Sequence, residues 1–194
     1  IIKYTGNNTS GALVPHGLAA KPAFIIVKVL SIDEWGVYHK GLNQGVDPED
    51  YYIQLNQTST AGNNAGYWND TAPTSVLFTL GNSGVVNDSD DYIAYCFAEK
   101  SGYSKFGTYE GNGNADGTFV YTGFRPAFLL IKNTDTSGTG WLCYDDKRPG
   151  YNEDNAFTNT NNNASSEASN KDIILASNGF KPVVSDNDTN QSLK

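Results

Sequence analysis

Lys21-Pro22-Ala23-Phe24-Ile25-Ile26-Val27-Lys28 returns as Arg125-Pro126-Ala127-Phe128-Leu129-Leu130-Ile131-Lys132, and this pair of octapeptides decides how the chain is read. Upstream of each lies a matching word, Tyr4-Thr5-Gly6-Asn7 and Tyr109-Glu110-Gly111-Asn112. Downstream of each lies another, Trp35-Gly36-Val37-Tyr38 and Trp141-Leu142-Cys143-Tyr144. The spacing between copies drifts by a residue or two along the chain, which is the mark of loop-length changes between two copies of one unit. A period of this length makes the repeat, and not the whole chain, the folding unit. Positions that the copies share are expected to serve the fold, and positions where they differ are not.

The chain has 194 residues, which suits two small domains when it is internally repeated. Charged residues make up 18%, below the ~25% of ordinary globular chains, so the polar character rests on Asn, Ser, Thr and Gly. Aromatics make up 12%, enough apolar area to argue for a packed core over disorder. A net charge of −8 argues against a nucleic-acid partner, which would require a basic stripe. No apolar run is long enough to span a bilayer. No signal peptide is visible. The chain holds no Met and starts at Ile1 within an apparent strand, so it is expected to be an internal or processed piece of a longer polypeptide.

The apolar segments are short and rich in Ile, Val, Phe and Tyr: Ala23 to Leu30, Val37 to His39, Tyr51 to Leu55, Ser75 to Leu80 and Tyr92 to Ala98. The second copy offers Thr118 to Tyr121, Ala127 to Ile131, Trp141 to Tyr144 and Asp172 to Leu175. Gly- and Asn-rich turns separate them, at Gly6-Asn7, Gly62-Asn63-Asn64, Gly81 to Gly84, Asp116-Gly117 and Asn178-Gly179. This pattern predicts strands throughout. Only Ala164 to Lys171 suggests one short helical turn. The expected fold is all-β, two tandem antiparallel β-sandwiches of jelly-roll or concanavalin-like type, over residues 1–104 and 105–194. Each unit should hold ~7–8 strands. Runs that are apolar at consecutive positions predict strands covered on both faces. The expected core is Phe24, Ile26, Phe78, Ile93, Phe97, Phe128, Leu130 and Ile174. The first unit closes with Asp91 to Glu99, whereas the second stops at Leu193-Lys194 where its version of that strand would begin. Its sheet edge is therefore expected to lie open, to be filled by another chain or by further polypeptide.

Several words are familiar in their order: Val14-Pro15-His16-Gly17-Leu18, Tyr67-Trp68-Asn69-Asp70-Thr71-Ala72-Pro73-Thr74-Ser75, Tyr92 to Glu99, Gly102 to Gly107, and Phe119 to Phe128. In these words the chain resembles a repeated β-rich domain of uncharacterised function in tail-fibre-like and other virion proteins of marine bacteriophages. The resemblance covers nearly the whole chain. It implies lectin-type (concanavalin-like) sandwiches within long virion proteins, and it brings no agreed catalytic residues.

The residues themselves offer little for catalysis. The two histidines, His16 and His39, are replaced in the second copy by Thr122 and Asp145, and no cysteine or histidine spacing suggests zinc. Glycosidases need two carboxylates that flank the sugar, yet the Glu residues are scattered and no Glu-x-Asp-x-Glu run occurs. The chain is read as non-enzymatic, with no catalytic residue assigned. Asp-rich turns at Asn87 to Asp91, Asp145-Asp146 and Asp186 to Asp188 supply oxygen ligands of the kind calcium prefers. Asp88, Asp90 and Asp91 are the weak candidates, but the spacing and turn glycine of a dedicated calcium loop are missing. No cofactor is expected beyond that. Cys96 and Cys143 lie in apolar runs and read as buried free thiols. Trp35 and Trp141 are shared and read as core. Trp68 has no copy and sits among Gly and Asn, so Trp68 with Tyr67, Asn69 and Asp70 is the candidate contact for a carbohydrate or a partner.

The expected role is a virion-surface, extracellular protein: a tail- or head-fibre module for adhesion to host surface glycans or for display. A capsid decoration or filament-forming protein is the rival, and a polysaccharide depolymerase comes last. Expected partners are other virion proteins or copies of itself, and host glycans.

Overall fold

The structure is a computed structural model, and it describes residues 1–192 apart from 32–33, 149, 151, 153–155, 162–166 and 169–170. The protein is all-β and its paired strands are antiparallel. Its contacts divide the chain into two compact units, one of Ile1–Asn56, Ala61–Lys100 and Ser104–Gly107, the other of Gln57–Thr60, Ser101–Tyr103 and Thr108–Lys194.

In the first unit one sheet holds, in spatial order, β1 (Ile2–Thr5), β8 (Asp91–Phe97), β3 (Phe24–Val29), β4 (Trp35–His39), β5 (Tyr51–Gln54) and β6 (Gly62–Asn63). A two-stranded ribbon, β2 (Ala12–Pro15) with β7 (Leu77–Leu80), forms the opposing layer. Two single-turn helices, α1 (Ala65–Trp68) and α2 (Gly84–Asn87), help to close it. Val14, Phe78 and Leu80 of the ribbon meet Ile25, Val27 and Val29 of β3, Tyr38 of β4, and Tyr92, Ala94 and Cys96 of β8 in one core. Such face-to-face packing of two antiparallel layers is a β-sandwich.

In the second unit β10 (Phe128–Lys132), β11 (Trp141–Asp145), β12 (Ala156–Asn159) and β13 (Glu167–Ala168) form one sheet. The other runs β14 (Ile173–Ala176), β15 (Gly179–Pro182), β9 (Val120–Tyr121). Ile131, Leu142, Tyr144 and Phe157 of the first sheet pack on Ile173, Leu175 and Phe180 of the second.

The repeat extends to backbone register. Val14 pairs with Phe78 across β2–β7, as Val120 pairs with Phe180 across β9–β15. Phe24 pairs with His39, as Phe128 does with Asp145. Polar bonds repeat as well. Tyr4 Oη donates to the Val86 carbonyl at 2.6 Å, and Tyr109 Oη to that of Thr189 at 2.6 Å. Buried Asn87 accepts from Asn7 N at 3.0 Å and donates to the Thr9 and Gly81 carbonyls. Buried Asn190 accepts from Asn112 N at 3.0 Å and donates to the Asn114 and Val184 carbonyls. In each unit one amide side chain satisfies three backbone groups that would otherwise be costly to bury.

The expected core needs correction. On β3 the innermost row is Ile25, Val27 and Val29, so Ile26 is only half-buried. On β8 it is Tyr92, Ala94 and Cys96; Ile93 is half-buried and Phe97 is 42% exposed. Ile174 is 40% exposed between buried Ile173 and Leu175, and Leu130 is half-buried. Side chains alternate along a strand, so an error of one residue in phase turns a whole row outward. A run apolar at every position gives no clue to that phase. Phe24 and Phe78 are buried as expected. Phe128 is 60% exposed, for a different reason given below. The short helical turn expected over 164–171 is not helix at Glu167–Ala168, which pair with Phe157 and Ala156 as a strand, and 164–166 and 169–170 lie outside the described residues. The two α-helical turns among the described residues, α1 and α2, are too short to leave a period in the sequence.

Candidate functional site

The Tyr67–Asp70 segment, the candidate contact, is built by capping. Asn64 accepts a 2.8 Å hydrogen bond from Gly66 N and so starts α1. Asn69, in the left-handed conformation at φ 54°, stops it by returning its N–H to the Ala65 carbonyl. This turn drives both aromatic rings inward. Tyr67 stacks on Tyr52 with centroids 3.7 Å apart, and Trp68 meets Tyr38 edge-on at 6.0 Å. Trp68 is 2% exposed, so it is a core residue and no platform for a sugar, which corrects the expectation. Asn64 and Asn69 on either side of it are helix caps, not marks of a loop. Asn69 is half-buried, and only Asp70 of the four is exposed. The buried Trp68 Nε1 and Tyr38 Oη have no hydrogen-bond partner among the described residues.

Asp70 shares its surroundings with Asp47, Glu49 and Asp50. Asp50's carboxyl is pushed above the usual carboxylate range by desolvation, then by Asp70, Asp47 and Glu49. Among the described residues no three His, Cys, Asp or Glu side chains gather to hold a metal ion.

The three calcium candidates are each engaged elsewhere. Asp88 accepts from Ser89 N at 2.7 Å, Asp90 from Ser31 Oγ at 2.6 Å, and Asp91 from Lys3 Nζ at 2.7 Å and Thr5 Oγ1 at 2.9 Å. In the second unit Asp186 caps the turn by accepting from Asp188 N and Thr189 N, and Asp188 accepts from Gly140 N at 2.6 Å and Lys171 Nζ at 2.5 Å. The acid-rich turns thus serve as caps and bridges.

The histidines have local structural roles, and the second copy reproduces that of His39 with Asp145. His39 Nδ1 accepts from Gly41 N at 3.0 Å; Asp145 Oδ1 accepts from Lys147 N at 2.9 Å and Arg148 N at 3.0 Å. Burial beside Phe24 and Phe106, then Lys40, lowers His39 to about 4, with Glu99 opposing. His16 accepts from Leu18 N through Nδ1 at 3.2 Å, so its Nε2 carries the proton and donates to the Thr74 carbonyl at 3.1 Å. Both cysteines are free; Cys96 is buried, its thiol pushed up to about 11 by desolvation, and Cys143 is half-buried and raised for the same reason. Neither is an activated thiolate.

The functional feature that stands out is the edge of β10. In the first unit β3 is flanked on both sides, by β4 and by β8. In the second unit, among the described residues, β10 pairs with β11 alone and stands at the edge of its sheet. Phe24 is 7% exposed against β8, and its counterpart Phe128 is 60% exposed. The sequence signal was the position of the Tyr92–Phe97 word, which has no copy.

Among the described residues no helix is long and apolar enough to cross a membrane. No curated protein and no solved structure matches the chain. A family model described as a domain of unknown function, DUF7483, matches residues 1–194, and the chain belongs to that family.

Proposed function

We propose that the protein is a non-enzymatic module of a virion surface, part of a tail or head fibre, that displays itself or adheres to host surface glycans. The observation that carries this reading is the ordered set of words from Val14–Leu18 to Phe119–Phe128, which resembles a repeated domain of phage virion proteins. The chemistry of the unit is compatible with it. The acids of the Asp-rich turns are used as caps and bridges, and the thiols are raised rather than activated. A surface poor in charge and rich in Asn, Ser and Thr keeps its hydrogen bonds in high salt, where surface ion pairs are screened. A capsid-decoration or filament-forming role is the second reading, favoured by the unpaired β10 edge.

Two measurements test the proposal. Antibody raised against the chain should label the outside of virus particles. An array of algal and bacterial surface polysaccharides should show binding without turnover. Turnover that disappears on substitution of a Glu or Asp would make the protein an enzyme and overturn the reading.

A further inference from the structure

The second unit carries an aromatic face that the first does not. Side chains alternate along an extended chain. Val120 packs on the core, while Phe119 and Tyr121 on either side of it are 47% and 68% exposed. Each outward ring lies over a glycine. A Cβ built at Gly179, which pairs with Tyr121, would stand 2.8 Å from Phe119 Cζ. One built at Gly123 would stand 3.6 Å from Tyr121 Oη and 3.8 Å from Tyr121 Cζ. Two residues along β15 from Gly179, Lys181 Nζ is bridged to Asp116, whose side chain is 89% exposed. The two copies show which of these features the fold needs. Gly11 N donates to the Leu80 carbonyl, as Gly117 N does to that of Pro182. Gly17 and Gly123 share a left-handed conformation, at φ 69° and 84°. Yet Ser10, Leu13, Pro15 and Thr79 stand in the first unit where Asp116, Phe119, Tyr121 and Lys181 stand in the second. Among the described residues no atom lies within 4 Å of a Cβ built at Gly17. The fold therefore does not require the two rings or the ion pair.

We propose that this face binds an uncharged oligosaccharide, with sugar rings stacked on Tyr121 and Phe119 and hydroxyls bonded to Asp116 and Lys181. The proposal rests on the adhesive part of the reading above and gives it a site. The chemistry of the face selects the ligand. Aromatic rings beside a few polar groups suit a molecule with both apolar and polar sides. A pyranose has both, C–H groups on its faces and hydroxyls on its rim. The carboxylate only accepts hydrogen bonds and the ammonium only donates them, so neighbouring hydroxyls, which do both, satisfy the pair. The two charges cancel, so a charged polymer gains nothing here over an uncharged one. Side chains two apart on a strand are ~6–7 Å apart, which leaves room for one sugar on each ring. Rings already seated against main chain lose little freedom when a ligand covers them.

The test titrates the full chain with uncharged laminarin and galactomannan and with the charged polymers alginate and carrageenan. Binding to an uncharged polymer is expected, with an affinity that salt leaves unchanged. Tyr121→Ala and Asp116→Ala should each weaken it at least tenfold. Both side chains are exposed enough for the variants to fold. Pro15→Ala, at the place of Tyr121 in the first unit, should leave binding unchanged. If an uncharged polymer binds and both variants bind it as well as the parent, the site is overturned while adhesion to glycans stands. If only alginate or carrageenan binds, and salt abolishes it, the uncharged ligand is overturned. If none of the four binds, this site and the adhesive reading fall together. The proposal is also overturned if the chain alone forms a dimer that Tyr121→Ala dissociates, since a second copy would then own the face.

Discussion

The two units share a turn framework, and among the described residues they differ in what flanks β3 and its counterpart β10. Asn87 and Asn190 make the same three backbone bonds, and Tyr4 and Tyr109 the same carbonyl bond. Yet the first core includes Tyr92, Ala94 and Cys96 from β8, and Tyr67, Trp68, Val85 and Val86 from the two helical turns, while the apolar cluster of the second, among the described residues, holds no counterpart of these. Polar bonds within a loop and its neighbour are evidently sufficient to hold the turn framework. In the first unit β8 contributes burial instead, with Tyr92, Ala94 and Cys96 in the core.

The largest effect should come from the pair that this difference separates. Phe24→Ala removes a buried ring packed on Phe97 and Phe106 and should cost ~3–5 kcal/mol. Phe128→Ala at the equivalent place should cost less than ~1 kcal/mol, because an exposed ring gives up little on truncation. Urea unfolding of both variants checks this, and equal costs would mean that the β10 edge is covered. The next largest effect should be matched between units. Asn87→Ala and Asn190→Ala each remove the partner of three backbone groups, part-buried except for the buried Gly81 carbonyl, and should each cost ~1–3 kcal/mol. Unequal costs would show that the shared bonds conceal different cores.

How much of this could be read from the sequence follows from what each signal encodes. The strands were legible as runs of Ile, Val, Phe and Tyr between Gly- and Asn-rich turns. Their phase was not, because Phe24-Ile25-Ile26-Val27 is apolar at every position and either alternating row could face the core. Trp68 was misread because a helix of one turn carries no period and its caps, Asn64 and Asn69, look like loop residues. The roles of His39 and Asp145 were partly legible. Their exchange between copies suggested that neither is needed for chemistry, but only the structure shows that each accepts the N–H two residues on.

That exchange gives the third comparison, in pH. His39 is held neutral, at about 4 against 6.5, so below pH 6.5 the unfolded chain takes up a proton that the folded unit resists. Stability of the first unit is then full above pH 6.5 and falls as the pH drops towards 4, by ~2 kcal/mol. Asp145 behaves oppositely. Burial pushes its carboxyl up, but the N–H groups of Lys147 and Arg148 and the Arg148 guanidinium outweigh this and hold it below the ordinary 3.8. Its contribution is lost only when the pH falls past that value. Between pH 6.5 and 4.5 the first unit alone should weaken, and His39→Asp, which installs the second unit's residue, should flatten the profile in denaturant melts.

The smallest effect should appear on the outer faces of the two small layers, where the units have exchanged bulk between strands. In the first, Leu13 on β2 projects outward close to Leu77, which pairs with Pro15. In the second, Phe119 takes the place of Leu13, and the place of Leu77 is held by Gly179, which pairs with Tyr121. The Phe119 ring lies over that glycine: a Cβ built there would stand 2.8 Å from Phe119 Cζ and 2.1 Å from the Val120 carbonyl oxygen. A bare glycine exposes main chain and weakens a strand, and a neighbouring aromatic ring can shield it. Leu13→Ala, with a side chain already beside it, should change stability by less than ~0.5 kcal/mol. Phe119→Ala should cost ~1 kcal/mol, more than its exposure alone would suggest, and should speed amide exchange at Phe180. If the two substitutions prove equally neutral, the ring does not shield Gly179, and the exchange of bulk between these strands carries no difference in stability.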